Sequence, residues 1–333
     1  MTGINRRQAA WLLGWMLCLA FLVTAPAARS ADWVPSKPIR LILPYAPGGT
    51  TDLIARILSG PLGSDLGQQI VIDNRGGGGG VIAMSMIAHA QPDGYTMGIP
   101  SLSAHAANAT LLRKSLPYDT EKDFQPISFI GESSLVLVVP PSSPAQSLQQ
   151  LISRARETGK PLTFASGGIG LAAHIAGELV KLQAKGANMT HVAYKGGGPA
   201  TAAAMGGEVD MTFAPAGSVL SFVRAGKVRA IAIASQKRSA KLPGTATMIE
   251  SGFPGFVMAD SWGMLAPAGL PEGPARRFHK ALMTALKQAD VAKRLDDQGV
   301  EIAPSTPEEL RRYITAEIKK YRDVIVAANI KVE

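Results

Sequence analysis

The chain has 333 residues, with 34 Lys and Arg against 25 Asp and Glu, a formal net charge of +9 and one cysteine. The basic residues are scattered and carry no aromatic stripe, which argues against nucleic acid and for a solvated surface that steers anions mildly. A lone cysteine excludes a disulfide framework, while the length suffices for two core-forming domains.

Met1 to Ala31 reads as a secretory signal peptide outside the fold. Arg6 and Arg7 precede an apolar run from Ala9 to Thr24, and Ala25-Pro26-Ala27 offers small residues for cleavage after Ala27. The run is too short for a comfortable membrane span. Both the general and the twin-arginine export routes stay open. Cys18 would leave with this segment, and an exported chain without disulfides fits a bacterial periplasm.

From Pro38 onward, short apolar strands alternate with helical patterns, as in βαβ units with parallel sheets. Ile39–Leu43 reads as a buried strand, followed by Pro44-Tyr45-Ala46-Pro47-Gly48-Gly49-Thr50-Thr51-Asp52 and a helix from Thr51 to Leu62. Gly60-Pro61 should kink or shorten that helix. Further strands are expected at Ile70–Ile72, Tyr95–Ile99, Ile127–Ile130, Leu135–Val139, Leu162–Ala165, His191–Tyr194, Val209–Ala214, Arg229–Ala234 and Gly263–Ala266. Helices are expected between them, including Val81–Ala90, Ala104–Leu112, Ala172–Lys185, Pro199–Gly206 and Val219–Ala225. The C-terminal part is helical, and its last helix opens Ser305-Thr306-Pro307-Glu308-Glu309, with a capping residue, proline and acids in order.

Two long extended crossings, Ile127 to Val139 and Phe253 to Pro267, suit two domains joined by two strands. The expected division is 32–132 with 258–333 as a discontinuous first domain, and 133–257 as the second.

Four glycine-rich turns follow predicted strands: Pro47 to Thr50, Gly76 to Gly80 just after Arg75, Ser166 to Gly170, and Lys195 to Pro199. In open α/β sheets ligands gather outside the carboxyl ends of the strands, where such turns lie. The first turn reads either as an anion site built from backbone N–H groups and hydroxyls, or as a plain strand-to-helix connection. Asp52 either stabilises the helix start or meets a ligand, and Lys195 is the one cation inside a glycine turn. Ser101 and Ser103 offer hydroxyls at a strand end. Arg75 reads as pinning its own loop, and Trp262 as hinge packing. His174 reads as hydrogen-bonded to a neighbouring loop, with Glu178 on the same helix face.

No phosphate-loop, dinucleotide or nucleophile-elbow motif occurs, and the five histidines lack metal-ligand spacing. Neither a metal nor another cofactor is expected. A periplasmic hydrolase or isomerase using Asp52 and His174 is the alternative from a different class.

Pro47-Gly48-Gly49-Thr50-Thr51-Asp52, Leu66-Gly67-Gln68, Asn74-Arg75, Pro92 to Thr96, Tyr194 to Gly197, Gly207 to Asp210 and Trp262-Gly263 through Ala266 to Gly269 occur in this order. In combination they resemble the substrate-binding proteins of tripartite tricarboxylate transporters, the Bug receptor family, from about Pro35 to the C-terminus. The resemblance implies a periplasmic-binding-protein-like α/β fold, with two domains, two crossing strands and a ligand cleft between them. It implies a monomeric periplasmic receptor that delivers a small carboxylate to membrane permease subunits, or a sensor presenting it to a membrane receptor. It places Tyr45, Gly49, Thr50, Thr51 and Asp52 at the ligand, with Ser166, Gly168 and the Lys195 turn opposite. Leu171 departs from the family's small polar residue and adds apolar surface, so the expected ligand has an apolar or aromatic body.

Overall fold

The computed structural model describes residues 33–157 and 159–330. The expected signal peptide, Met1 to Ala31, therefore lies outside the described residues, and the first strand begins at Ile39.

The first half builds as the alternation of apolar runs and turns dictates. Strand β1 (Ile39–Leu43) leads into helix α1 (Thr50–Leu66), then β2 (Ile70–Asn74), a short 3-10 turn at Gly78–Gly80, α2 (Val81–Ala88), β3 (Thr96–Gly98) and α3 (Leu102–Leu111). β1 lies between β2 and β3, parallel to both. The helix α1 runs through Pro61 to Leu66 instead of stopping near Leu62. Its buried stripe of Ile54, Ile57, Leu58, Leu62 and Leu66 holds it on the sheet, and that tertiary packing overrides the local cost of proline.

Strand β4 (Phe124–Val139) is one continuous strand where two were expected. Its first part pairs antiparallel with β9 (Ala259–Pro267), and its last residues pair antiparallel with β7 (Met211–Pro215) and β8 (Arg229–Ile233). The polar stretch Gly131 to Ser134, which looked like a break, lies where the strand passes from one set of neighbours to the other. Register shifts precede it at Pro126/Ser128 and Phe129/Gly131, and another follows at Leu137/Val138.

Between those pairings come α4 (Leu148–Glu157), β5 (Leu162–Ser166), α5 (Ala172–Gln183), β6 (Met189–Ala193), α6 (Gly197–Gly206) and α7 (Ala216–Arg224). β5 is parallel to both β6 and β7. Along the hydrogen-bonded path the order is β2-β1-β3-β9-β4-β7-β5-β6, with β8 and β10 (Glu301–Ile302) joined to β4. The chain returns to the first set of strands through β9 and ends in α8 (Glu272–Leu286), α9 (Ala289–Asp297) and α10 (Pro307–Ala327).

Helix α10 begins as its sequence announces. Thr306 Oγ1 accepts from the Glu309 amide at 3.2 Å, Glu309 returns a carboxylate oxygen to the Thr306 amide at 2.8 Å, and Pro307 takes the first helical position. Its apolar face contributes Leu310 and Ile314 to a core with Ile42, Leu102, Phe129 and Leu265. Two turns further, Tyr321 and Ile325 join a second core around Phe164, Ile175 and Phe213. The last helix thus packs on both halves.

Candidate ligand-binding site

The carboxyl ends of β1, β5, β6 and β7 meet around one cavity of about 190 Å³. At ~10–15 Å³ per water on this measure, that is room for roughly a dozen waters or one small solute. Each of these strands is followed by a helix whose N-terminus lines the cavity: α1 through Gly48 to Thr51, α5 through Leu171 to Ala173, α6 through Gly196 to Pro199, and α7 through Pro215 and Ser218. None of the four has a side chain capping its first turn. First-turn N–H groups lack intrahelical acceptors and sit at the positive end of the helix dipole, so four such ends favour an anion. Among the described residues, no lysine, arginine or histidine lines the cavity, and the one charged residue that does is Asp260. Leu135, Leu171, Met205, Phe213 and Phe222 give it an apolar wall.

The first turn is shaped from behind. Gly48 adopts a φ of +88°, a conformation open to glycine. Its amide donates to Asp52 Oδ2 at 3.0 Å, and Arg56 Nε donates to the same oxygen at 2.8 Å. Burial pushes the Asp52 carboxyl up, but the bonds from Arg56, the Gly48 amide and Asn74 outweigh it and hold the carboxyl below its usual range. Asp52 therefore faces its own turn and does not line the cavity, whereas Tyr45, Gly48, Gly49, Thr50 and Thr51 do. Trp262 Nε1 donates to Thr51 Oγ1 at 2.8 Å. An indole N–H only donates, so the Thr51 hydroxyl accepts there and keeps its own proton free to donate.

The opposite turns lock together. Gly196 N donates to Gly167 O at 2.9 Å, and Tyr194 N donates to Ser166 O at 2.8 Å. A β-carbon on Gly167 would stand 2.6 Å from Gly196 C and Gly197 N, so only glycine permits this approach. Ser166 is fully buried, bonded to Gly168 O at 2.9 Å and to His191 Nε2 at 2.7 Å, and so supports the loop from within. Neither Ser166 nor Gly168 lines the cavity, while Leu171 does. Lys195 is exposed on the outer side of its turn and does not line the cavity either.

His174 stacks on His191 with ring centroids 4.0 Å apart and accepts the Gly170 amide at 3.1 Å through Nδ1. Burial lowers His174 to about 3, assisted by His191, and lowers His191 to about 4. Both rings are thus held neutral beneath the Ser166 turn. Glu178 lies near Lys181 at 3.9 Å. Arg75 Nε donates to Asp73 at 2.7 Å, within its own loop.

Ser101 and Ser103 hold the cavity floor without lining it. Ser101 Oγ donates to Asp260 Oδ1 at 2.5 Å and accepts from the Ala104 amide, capping α3, while Ser103 Oγ donates to Ala259 O at 3.2 Å. Burial raises Asp260 to about 6, against the bonds from Ser101 and the Ser261 amide. Burial, then the Asp260 charge, raises the neighbouring Tyr45 phenol.

Asp260, Ser218, Phe213 and Phe222 were not singled out from the sequence. α7 starts three residues before the Val219 expected for it, because Ala216-Gly217-Ser218 carries no apolar period. Asp260 sits in an extended stretch where only Trp262 drew notice. Its position two residues before a tryptophan, on the same strand face, was the available signal.

Among the described residues no helix is long and apolar enough to cross a membrane, and no group of three His, Cys, Asp or Glu is placed to hold a metal. The fold is that of periplasmic binding proteins. Residues 54–330 match the model of the tripartite tricarboxylate transporter family receptor. The protein BugT of Bordetella pertussis is 36% identical over 315 residues, covering 94% of this chain and 96% of BugT. A solved R. palustris structure with adipate is 32% identical, with a TM-score of 0.85, covering 90% of this chain and 99% of that one. MatC from Rhodopseudomonas palustris with bound malate is also 32% identical, with a TM-score of 0.82, covering 87% of this chain and 99% of MatC. With a family match across most of its length, the chain belongs to the tripartite tricarboxylate transporter receptor family, whose members are binding proteins and not enzymes.

Proposed function

We propose that this receptor captures a small carboxylate with an apolar body and presents it to the membrane permease subunits of a tripartite transporter. The convergence of four uncapped helix N-termini on one cation-free cavity carries the reading. Backbone N–H groups and the Thr50 and Thr51 hydroxyls would hold the carboxylate, with Gly49 and Gly197 closest to the dipole ends. Leu171, Phe213 and Phe222 would take the hydrocarbon. Asp52, Ser101, Ser103, Ser166 and Gly168 would act behind the surface by fixing the turns, and Lys195 would steer anions towards the mouth.

Residues 32–132 with 258–333, and 133–257, form the two domains in this reading, closing about the crossing strands β4 and β9. Export to the periplasm and action as a monomer complete it. The adipate-bound and malate-bound relatives support a carboxylate ligand.

Thermal melting against a panel of carboxylates, with sugars and amines as controls, tests the proposal. A ligand at a hundred times its dissociation constant stabilises by about 2.7 kcal/mol, or several degrees at ~2–4 °C per kcal/mol. Protein refolded to remove carried-over ligand that responds to no carboxylate would overturn the reading. Leu171→Ser should weaken binding of acids with longer hydrocarbon bodies more than short, hydroxylated ones.

A further inference from the structure

The cavity offers donors on nearly every polar side, with Asp260 as its sole charged acceptor. Ser101 Oγ and the Ser261 amide both donate to Asp260 Oδ1, at 2.5 and 3.0 Å, which fixes the carboxylate's orientation. Among the described residues, Oδ2 takes no hydrogen bond and no cation pairs with Asp260. Asp260 and Trp262 share one face of β9, and Trp262 reaches Thr51 in the first turn of α1. The carboxylate therefore lies on the floor beside the anion-binding turn.

Withdrawing a carboxylate from water is costly unless a donor or cation compensates it. Here the protein supplies two donors to one oxygen and leaves the other for whatever fills the cavity. A second carboxylate on the ligand would bring a like charge to that oxygen, and a hydrocarbon end would leave it without a donor.

We propose that Asp260 is the specificity-determining acceptor of this receptor, and that the ligand is a carboxylate which also carries a nitrogen donor, such as an ω-amino acid. Its carboxylate sits at the helix N-termini and its ammonium or N–H meets Asp260 Oδ2. The inference rests on the carboxylate-receptor reading above and narrows its ligand class. The raised position of Asp260, about 6, agrees with a charge awaiting a partner.

The groups around Asp260 are Tyr45 after β1, Ser101 at the start of α3, Ser133 paired with it on β4, and Tyr313 and Tyr321 on α10, with Glu132 and Glu317 next to those tyrosines. The three tyrosines are raised further by burial and stay neutral from pH 5 to 8. Glu317 lies 3.1 Å from Lys320. Burial, then Glu301, raises Glu132. Any effect of these groups on the ligand's carboxylate is common to probes of equal length, so matched probes isolate Asp260.

The test is calorimetric titration of the full receptor and of Asp260→Asn with ω-amino acids, linear monoacids and linear diacids of four to eight carbons. In the parent, an ω-amino acid should bind at least tenfold more tightly than the monoacid of equal length. Its affinity should rise between pH 5 and 7 as Asp260 ionises, with no matching rise for the monoacid. Asp260→Asn should erase both the preference and the pH difference. If that variant fails to fold, the parent's pH profiles decide alone. A diacid or monoacid that matches the amino acid, or a preference that survives in Asp260→Asn, would overturn the inference while leaving a carboxylate receptor intact. If no probe binds the parent, the carboxylate reading itself falls, and this inference with it.

Discussion

The indole of Trp262 and the hydroxyl of Thr51 meet at 2.8 Å across 211 residues of chain, joining a crossing strand to the first turn of the site. The tryptophan is fully buried, so its N–H cannot turn to solvent instead. Thr51→Val, which keeps the shape and removes the oxygen, should cost about 1–3 kcal/mol. Melting the single variants and the Thr51→Val, Trp262→Phe pair closes a double-mutant cycle, with an expected coupling of at least ~0.5 kcal/mol. Strict additivity would show that the bond contributes nothing to stability.

Gly49 and Gly167 separate binding from folding. A β-carbon on Gly49 would meet nothing within 4 Å, and its φ of −82° suits any residue. Gly49→Ala should therefore melt within a degree or two of the parent while losing carboxylate affinity about tenfold. Gly167→Ala must push apart two interlocked turns and should lower the melting temperature as well. Equal melting losses in the two variants would contradict this division.

The stacked histidines predict acid sensitivity well above the carboxylate range. Their folded values, about 3 for His174 and about 4 for His191, lie below the ordinary 6.5. Above 6.5 neither state binds these protons. As pH falls below it the unfolded chain takes them up first, so stability is lost until the folded values are reached. By pH 5 the loss should be roughly 2 kcal/mol per histidine. Urea unfolding at pH 7 and pH 5 measures it, and His174→Asn, which can still accept from Gly170, should show a shallower loss.

Asp52 titrates in the opposite window. Burial raises its carboxyl, the bonds from Arg56, Gly48 and Asn74 lower it further, and the net value falls below 3.8. Its contribution is present above 3.8 and disappears as pH drops through the folded value. Because Arg56 is 54% exposed and screened, most of the effect should come from the Gly48 amide and the helix dipole. Asp52→Asn should cost about 1 kcal/mol at pH 7. Melting curves of variant and parent should converge at low pH, and a gap independent of pH would assign the cost to packing.

Three of the four cavity-lining turns were legible because an apolar run, a glycine pair and a helical period follow one another within a short window. α7 was misplaced because Gly217 packs directly against Gln298, a contact that no local window contains and that explains a glycine in a first helical turn. β4 was split because a strand that changes neighbours halfway has no single burial period. The hydroxyls of Ser101, Ser103 and Ser166 sit at strand ends, as expected for ligand contacts, yet spacing does not tell a cavity-facing hydroxyl from one that turns inward. Asp260 gains its meaning only from the fold, which brings β9 beneath a helix start far earlier in the chain.

The pairing of β3 and the first part of β4 with β9, together with the packing of Leu310 and Ile314 against Ile42 and Leu102, also governs the order of assembly. The earliest strands cannot complete their sheet, nor can their core exclude water, until the final helix exists. Such long sequence separations make closure slow, because chain entropy is lost before the contacts form. The first set of strands is therefore completed only once the last quarter of the chain is present.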